Sequence, residues 1–313
     1  MKNYIDLNDI EDLPALIAEA IQLKKNNDQA QLGKGKTLGM LFFNASLRTR
    51  LSTEKAAKLL GMEVMVMNAG TDGWALEFED GAVMNSDKAE HIKEAAAVLS
   101  QYCDIIAVRA FPGLKDKNKD EAEQVMNSFK KYASVPVVNL ESATGHPLQA
   151  LTDAITVMEL KKTEKPKVVL TWAPHPRALP QSVPNSFADV MKRLDVDFVI
   201  TNPEGYDLDK RITGDTPVIH DQKEALKDAD FVYVKNWSSY DNYGQILNTD
   251  ETWMFDLEKL KVTNNAAVMH CLPVRRNVVI ADEVLDSENS KVIHQANNRT
   301  FAAQAVLKNL LKS

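Results

Sequence analysis

Ser46-Leu47-Arg48-Thr49-Arg50 place two hydroxyls and two guanidinium groups at the start of a helical pattern. They follow the apolar run "TLGMLFF" (37–43), so a strand, a tight loop and a helix are expected in that order. The first N–H groups of a helix have no partner within it, and its dipole is positive there. Such an end binds anions, and arginine forks match phosphate oxygens in pairs. The plainer alternative is a serine N-cap beside solvated arginines. No GxxxxGK[ST] or GxGxxG loop is present. An oxyanion would therefore be gripped by side chains and a helix end, without a glycine cradle.

Three further stretches have the same character. "AVRAF" sets Arg109 at the carboxyl end of an expected strand, where open α/β sheets collect ligands; a surface arginine is the alternative. "ESATGHPLQ" carries Glu141, His146 and Gln149 from a strand into a helix with Pro147 in its first turn; a histidine before proline is otherwise only a turn residue. "MHCLPVRRN" groups His270, Cys271, Arg275 and Arg276 after an apolar strand. Adjacent strand residues point to opposite faces and zinc needs three or four ligands, so no metal is read here. A nucleophilic Cys271 would require a base and an oxyanion hole; a structural cysteine is the simpler reading.

The elements that must position these groups alternate along the chain. Strands are expected at "TLGMLFF", "MEVMVM", "DIIAVRA" and "VPVVNL", with helices starting near Leu47, Glu90 and Asp120. The second half repeats the rhythm with "PKVVLTW", "VDFVIT", "DFVYVK" and "AAVMHCL", and with helices near 185–194, 221–227 and 282–286. Continuous apolar strands between helices predict parallel sheets covered on both faces. The fold class is thus α/β, with two doubly wound parallel-sheet domains joined by helices. The expected division is 1–143 and 144–294, with a C-terminal helix, 295–313, returning to the first domain. Two long irregular stretches, 68–90 and 235–253, have the length and composition of functional loops.

Composition narrows the function classes. In 313 residues, 44% are hydrophobic and 26% charged, and the net charge is -7, which argues against non-specific nucleic-acid binding. No apolar stretch approaches the roughly 20 residues of a membrane helix, and the acidic N-terminus is unlike a signal peptide. Two cysteines without a CxxC pair suit a reduced, cytoplasmic compartment.

Together and in this order, "SLRTR", "HPLQ" and "HCLPVRRN" resemble the signatures of the aspartate/ornithine carbamoyltransferase family. Plain ornithine enzymes of that family carry an Asp and a Ser-Met-Gly turn for the free α-amino group. This chain instead reads "DFVYVKNWSS", with Lys235, which would repel an ammonium group. With "TDGWALEF" and "WAPHPRALPQSVPNS", it resembles the N-acylornithine branch, especially its bacterial members that use N-succinylornithine.

The resemblance implies that Ser46, Leu47, Arg48 and Thr49 hold the phosphate of carbamoyl phosphate, and that Trp74 closes over it from a neighbouring subunit. It implies that Arg109, His146, Gln149, Arg299, Cys271 and Leu272 contact the same ligand, with Thr49, Arg109 and His146 stabilising the oxyanion. Glu141, His175, Lys235 and Arg275 would surround the acylornithine. Ala89 would bear on acyl specificity, where acetyl-specific relatives have glutamate and succinyl-specific ones proline. A homotrimer with shared sites is implied, with no metal or organic cofactor. An N-acetylornithine enzyme and a catalytically silent carbamoyl-phosphate-binding subunit are the alternatives. A nicotinamide-dependent dehydrogenase lacks its fingerprint here.

Overall fold

A computed structural model describes residues 1–26 and 29–312. In chain order its elements are α1 (Leu13–Lys25), β1 (Thr37–Phe42), α2 (Leu47–Leu59), β2 (Glu63–Asn68), β3 (Leu76–Glu77), β4 (Glu90–His91), α3 (Ile92–Tyr102), β5 (Ile105–Arg109), α4 (Lys117–Glu121), α5 (Gln124–Tyr132) and β6 (Val137–Glu141). There follow α6 (Pro147–Leu160), β7 (Lys167–Trp172), α7 (Ser182–Lys192), β8 (Asp197–Thr201), α8 (Lys210–Thr213), β9 (Val218–Ile219), α9 (Gln222–Leu226), β10 (Phe231–Lys235), α10 (Leu257–Lys261), β11 (Ala267–Met269), α11 (Asp282–Leu285) and α12 (Val292–Leu310).

The chain divides into two compact units. Unit 1 comprises Met1–Gly113, Asn118–Leu148 and Arg299–Ser313; unit 2 comprises Leu114–Lys117 and Gln149–Asn298. Unit 1 holds a four-stranded sheet in the order β2-β1-β5-β6, every pair parallel. Unit 2 holds a five-stranded sheet in the order β11-β10-β7-β8-β9, also parallel throughout. In both, the chain builds outward on one side of its first strand and then crosses to the other. The strand order therefore reverses between β1 and β5 in one unit, and between β7 and β10 in the other. Open α/β sheets bind ligands outside the carboxyl ends of strands at such reversals. That places the Ser46–Arg50 helix start and Arg109 at one reversal, and Lys235 at the other. The expected α/β class with two parallel sheets is what the structure has.

Apolar strands build each core. Ile106, Val108, Phe129 and Val137 are buried together in unit 1, and Val169, Val232, Val234 and Phe255 in unit 2. The returning C-terminal helix is present: in unit 1, α12 meets α1 through Lys308 and Asn309 on Glu19, at 2.9 and 2.6 Å. Ser313, the last residue of the expected segment, lies outside the described residues. No helix of the described residues is long and apolar enough to cross a membrane.

The elements differ from expectation in three places. β2 is not covered on both faces, because Met65 and Met67 are exposed. The helix expected from Glu90 begins at Ile92; Glu90 and His91 instead pair with Leu76 and Glu77, and His91 caps the helix by accepting from the Lys93 N–H. The strand expected to run through Leu272 stops at Met269, because the His270 N–H is taken by the side chain of Gln295, at 2.9 Å.

Candidate active site

In unit 1, α2 starts directly beyond the carboxyl end of β1. Its N-cap is Ser46, in extended backbone, with a hydroxyl that makes no capping bond. The first-turn N–H groups therefore keep their anion-binding capacity. Arg48 is half-buried and Thr49 is buried one turn in, while Arg50 is exposed and its charge is felt by Asp72.

Arg109 ends β5 and Glu141 ends β6, paired across a register shift in the ladder. Their side chains form a buried ion pair, Nη1 to Oε2, and the Arg109 guanidinium lies 4.3 Å from the Phe111 ring centroid. The Nε of Arg109 is buried with no hydrogen-bond partner among the described residues. His146 completes the group, with Nε2 3.7 Å from the Glu141 carboxylate and 3.5 Å from Nη2 of Arg299. Arg299 reaches in from α12 and donates to Thr49 Oγ1 at 2.7 Å. Thr49, Arg109, Glu141, His146 and Arg299 thus form one buried cluster. Burial, then the charges of Arg299 and Arg109, hold the His146 imidazole well below the ordinary 6.5, so at neutral pH it is uncharged.

Trp74 and Ala89 lie on the other long loop of unit 1. Trp74 is 60% exposed and donates its indole N–H to Glu90 at 2.8 Å. Ala89 is exposed and ties back to Ala75 by its N–H, at 3.2 Å. Its neighbour Lys88 pairs with Glu77 at 2.9 Å. The Glu79 N–H and Lys88 hold that carboxyl down to about 2.

Unit 2 presents a different kind of group. Lys235 ends β10, buried, and donates to the Asn236 carbonyl at 3.0 Å. His175, beyond β7, accepts at Nε2 from Nε of Arg275, at 3.1 Å. Because arginine only donates, Nε2 accepts there, while Nδ1 lies 2.9 Å from the Arg177 carbonyl and 3.1 Å from the Arg177 backbone nitrogen. Burial foremost, with Arg275 and Lys235 adding, lowers the His175 imidazole below its usual range. Among the described residues, neither Lys235 nor Arg275 has a carboxylate at ion-pair distance. Arg276, one residue on, is instead bound to Asp282 and Asp286. The paired arginine is built into the loop; its neighbour keeps its charge for something else.

Gln149 is buried on α6 and donates to Asp153 Oδ1 at 2.7 Å, as does Gln295. Gln295 in turn accepts the His270 N–H, and His270 Nδ1 accepts the Leu272 N–H at 2.8 Å. Leu272 has a left-handed backbone, φ 58, and a cis bond to Pro273. Cys271, half-buried, and the Tyr233 phenol lie together near Asp153. Among the described residues, no three His, Cys, Asp or Glu side chains are grouped to hold a metal ion.

Comparison with known proteins gives this geometry a family. Residues 2–159 match the family model "Aspartate/ornithine carbamoyltransferase, carbamoyl-P binding domain", and residues 180–310 match "Aspartate/ornithine carbamoyltransferase, Asp/Orn binding domain". The chain belongs to the aspartate/ornithine carbamoyltransferase family. An N-succinylornithine carbamoyltransferase of Bacteroides thetaiotaomicron is 51% identical over 315 residues, covering 100% of this chain and 99% of that protein. An N-acetylornithine carbamoyltransferase of Xanthomonas axonopodis pv. citri is 38% identical over 330 residues, covering 98% and 96%. Among solved structures, an N-acetyl-L-ornithine transcarbamylase variant complexed with carbamyl phosphate and N-succinyl-L-norvaline superposes with a TM-score of 0.94, at 38% identity, covering 99% of this chain and 100% of that one.

Within the family frame, the structure brings Thr49, Arg109, His146 and Arg299 together in unit 1. It also places Glu141 there, as the counter-ion of Arg109. Sequence reading missed Asp153, Gln295 and Tyr233. A signal existed for Asp153: it stands four residues after Gln149, hence on the same helix face.

Proposed function

We propose that this protein transfers the carbamoyl group of carbamoyl phosphate to the δ-amine of N-succinyl-L-ornithine, giving N-succinyl-L-citrulline and phosphate, in arginine biosynthesis. The observation that carries the acceptor half is the Lys235–His175–Arg275 group, whose lysine and arginine have no carboxylate at ion-pair distance among the described residues. N-Succinylornithine supplies two carboxylates and no α-ammonium group. The first half rests on the unit 1 cluster, where Arg109 and Arg299 converge with Thr49 and His146 on the helix whose first turn carries Arg48.

In this reading Ser46, Leu47, Arg48 and Thr49 hold the phosphate, and Arg109, His146, Arg299, Gln149, Cys271 and Leu272 address the carbamoyl end. The Leu272 N–H is already committed to His270, so its contact would be made by its carbonyl oxygen. The neutral δ-amine attacks the carbonyl carbon, the C=O bond opens to an oxyanion, and the C–O bond to phosphate then breaks. Thr49, Arg109 and neutral His146 donate to that oxyanion, each well-placed donor being worth about 3–4 kcal/mol. The departing phosphate accepts the amine proton, so no side chain need act as base. Holding the two reactants in place contributes up to about 7–11 kcal/mol more.

A homotrimer with Trp74 serving a neighbour's site is part of the same proposal. Its support is the open apolar surface of unit 1, where Leu47, Leu51, Met65 and Met67 are exposed along with Trp74; patches of that kind mark protein contacts. The two free cysteines support a cytoplasmic location.

The second reading, N-acetylornithine as acceptor, is favoured by the 38% identical relatives. Against it stands Ala89. In four solved structures of the N-acetyl-L-ornithine transcarbamylase a glutamate is replaced by alanine, valine, serine or proline, and the bound ligand is N-succinyl-L-norvaline. The proposal takes Ala89 to stand where that glutamate stands. Turnover of ornithine, N-acetylornithine and N-succinylornithine with carbamoyl phosphate, measured in parallel, tests it. The largest kcat/KM is expected for the succinyl compound; a preference for either other acceptor overturns it.

A further inference from the structure

The sequence pattern around Asp120 reads as one helix, but the structure has two, α4 and α5, broken at Ala122 and Glu123. Glu123 stands at the break in a left-handed conformation, φ 48 and ψ 40, which residues other than glycine, asparagine and aspartate seldom adopt. The break turns its carboxylate onto the loop between Glu141 and His146. Oε1 accepts from Ser142 Oγ at 2.7 Å, from the Thr144 N–H at 2.7 Å and from Thr144 Oγ1 at 2.6 Å. Oε2 accepts from the Ala143 N–H at 3.3 Å. One half-buried side chain thus reaches three consecutive loop residues.

The loop is closed elsewhere by its own bonds, Ser142 N–H to the Gly145 carbonyl at 2.8 Å and Asn139 Nδ2 to Ser142 Oγ at 3.0 Å. Neither of those bonds involves Ala143 or Thr144, which Glu123 holds, and so Glu123 bears on the tilt of the loop on the sheet. The tilt matters because Glu141, at φ 154, and His146 lie at its two ends and must meet Arg109 and Arg299. Residues in sparsely populated backbone regions persist where surrounding contacts over-determine them, and they cluster at functional sites.

We infer that Glu123 is a positioning residue of the carbamoyl-transfer site: its carboxylate clamps Ser142–Thr144 and thereby sets Glu141 against Arg109 and His146 against Arg299. The inference rests on the carbamoyl-transfer reading for its catalytic consequence, though not for the geometry. Glu123 touches neither ligand in this account.

The test uses two variants of the full-length protein. Glu123→Gly accepts the left-handed backbone without steric cost, so it removes the clamp and leaves the helix break in place. Glu123→Gln keeps an oxygen where Oε1 accepts the three short bonds. Expected for Glu123→Gly is a kcat about 10–100-fold below wild type, the scale of a small misplacement at a reacting centre. The KM for N-succinylornithine should not move, since Lys235, His175 and Arg275 are untouched. Expected for Glu123→Gln is recovery of most of that loss. A Gly variant with wild-type kcat, whatever its melting temperature, overturns the inference, and so does a Gln variant as impaired as Gly.

An arm independent of turnover is nitrogen-15 NMR of His146, which faces Arg109, Arg299 and Glu141. Loosening the loop should let its imidazole titrate closer to the ordinary histidine value in Glu123→Gly; an unchanged titration contradicts the clamp. Wild-type protein that carbamoylates no acceptor would remove the proposed function, while the NMR arm would still decide the role of Glu123.

Discussion

The two cation-rich groups of this molecule differ in how their charge is balanced. In unit 1, Arg109 is paired with a buried carboxylate, Arg299 is anchored on Thr49, and a neutral imidazole sits between the two arginines. In unit 2, the partners of Lys235 and Arg275 among the described residues are a carbonyl and a histidine. The first arrangement is pre-organised: its geometry is set before any ligand arrives, which the proposed oxyanion role requires. The second has no such counter-charge among the described residues, and the carboxylates of the proposed acceptor would supply it. The contrast between Arg275 and Arg276 repeats the lesson within one dipeptide. Arg276 is held by two aspartates, whereas Arg275 is the one proposed to meet the acceptor.

The comparison breaks most readily at Arg109. Arg109→Met removes an oxyanion donor and leaves Glu141 buried without its partner. We expect kcat to fall by about 10²–10³, and stability by about 3–5 kcal/mol, the usual cost of stranding a buried charge. Steady-state kinetics with chemical denaturation checks both. A mild effect would show that the unit 1 cluster is scaffold and not chemistry.

A smaller effect is expected at the acyl end. Ala89→Glu brings a carboxylate towards the distal carboxylate of a succinyl group. Two such charges about 4 Å apart repel by roughly 4 kcal/mol at an effective dielectric of 20, and solvent around this exposed loop lowers that figure. The ratio of kcat/KM for N-succinylornithine over N-acetylornithine should therefore fall. An unchanged ratio would detach residue 89 from specificity.

The smallest expected effect sharpens the contrast through pH. His146 resists protonation in the folded protein, whereas in the unfolded chain it titrates near 6.5. Below that pH the unfolded state takes up a proton that the folded state refuses. The folded state is thus favoured fully above about 6.5 and loses stability as pH falls through it, by at most about 1.4 kcal/mol per pH unit for one such group. His175 has the same sign and a weaker pull, being more open. Denaturation midpoints at pH 7.5 and 5.5, in wild type and His146→Gln, measure the difference; a stability independent of pH in wild type would contradict the buried neutral imidazole.

Much of this was legible beforehand. The eight apolar runs of the reading each coincide with a strand, since continuous apolar segments between helices have few other solutions in a parallel sheet. The helix start at Ser46 was legible because it closely follows such a run, the place of Arg109 because it lies near the end of one, and that of His146 because it closes the short loop after one. Long-range contacts were not. That Arg299 reaches Thr49, or that Gln295 ends β11 by taking the His270 N–H, depends on packing of segments far apart in sequence. The pairing of Glu141 with Arg109 was not legible either, because nothing in "ESATG" reveals the register shift that brings them together. The split at Glu123 was hidden for a different reason. Its local sequence favours helix, and a tertiary contact overrides that preference.

The central claim is that phosphate belongs to unit 1 and the acceptor's carboxylates to unit 2. The most direct measurement is a paired one on Arg48→Ala and Lys235→Met: the calorimetric Kd for carbamoyl phosphate and the KM for N-succinylornithine. Each substitution removes a charge-assisted contact worth about 1.5–3 kcal/mol, or roughly 10–150-fold in affinity. Arg48→Ala should weaken carbamoyl phosphate by that factor, and Lys235→Met should leave it unchanged while raising the acceptor KM by a similar factor. If Lys235→Met instead weakens carbamoyl phosphate and spares the acceptor, the assignment of the two groups is wrong.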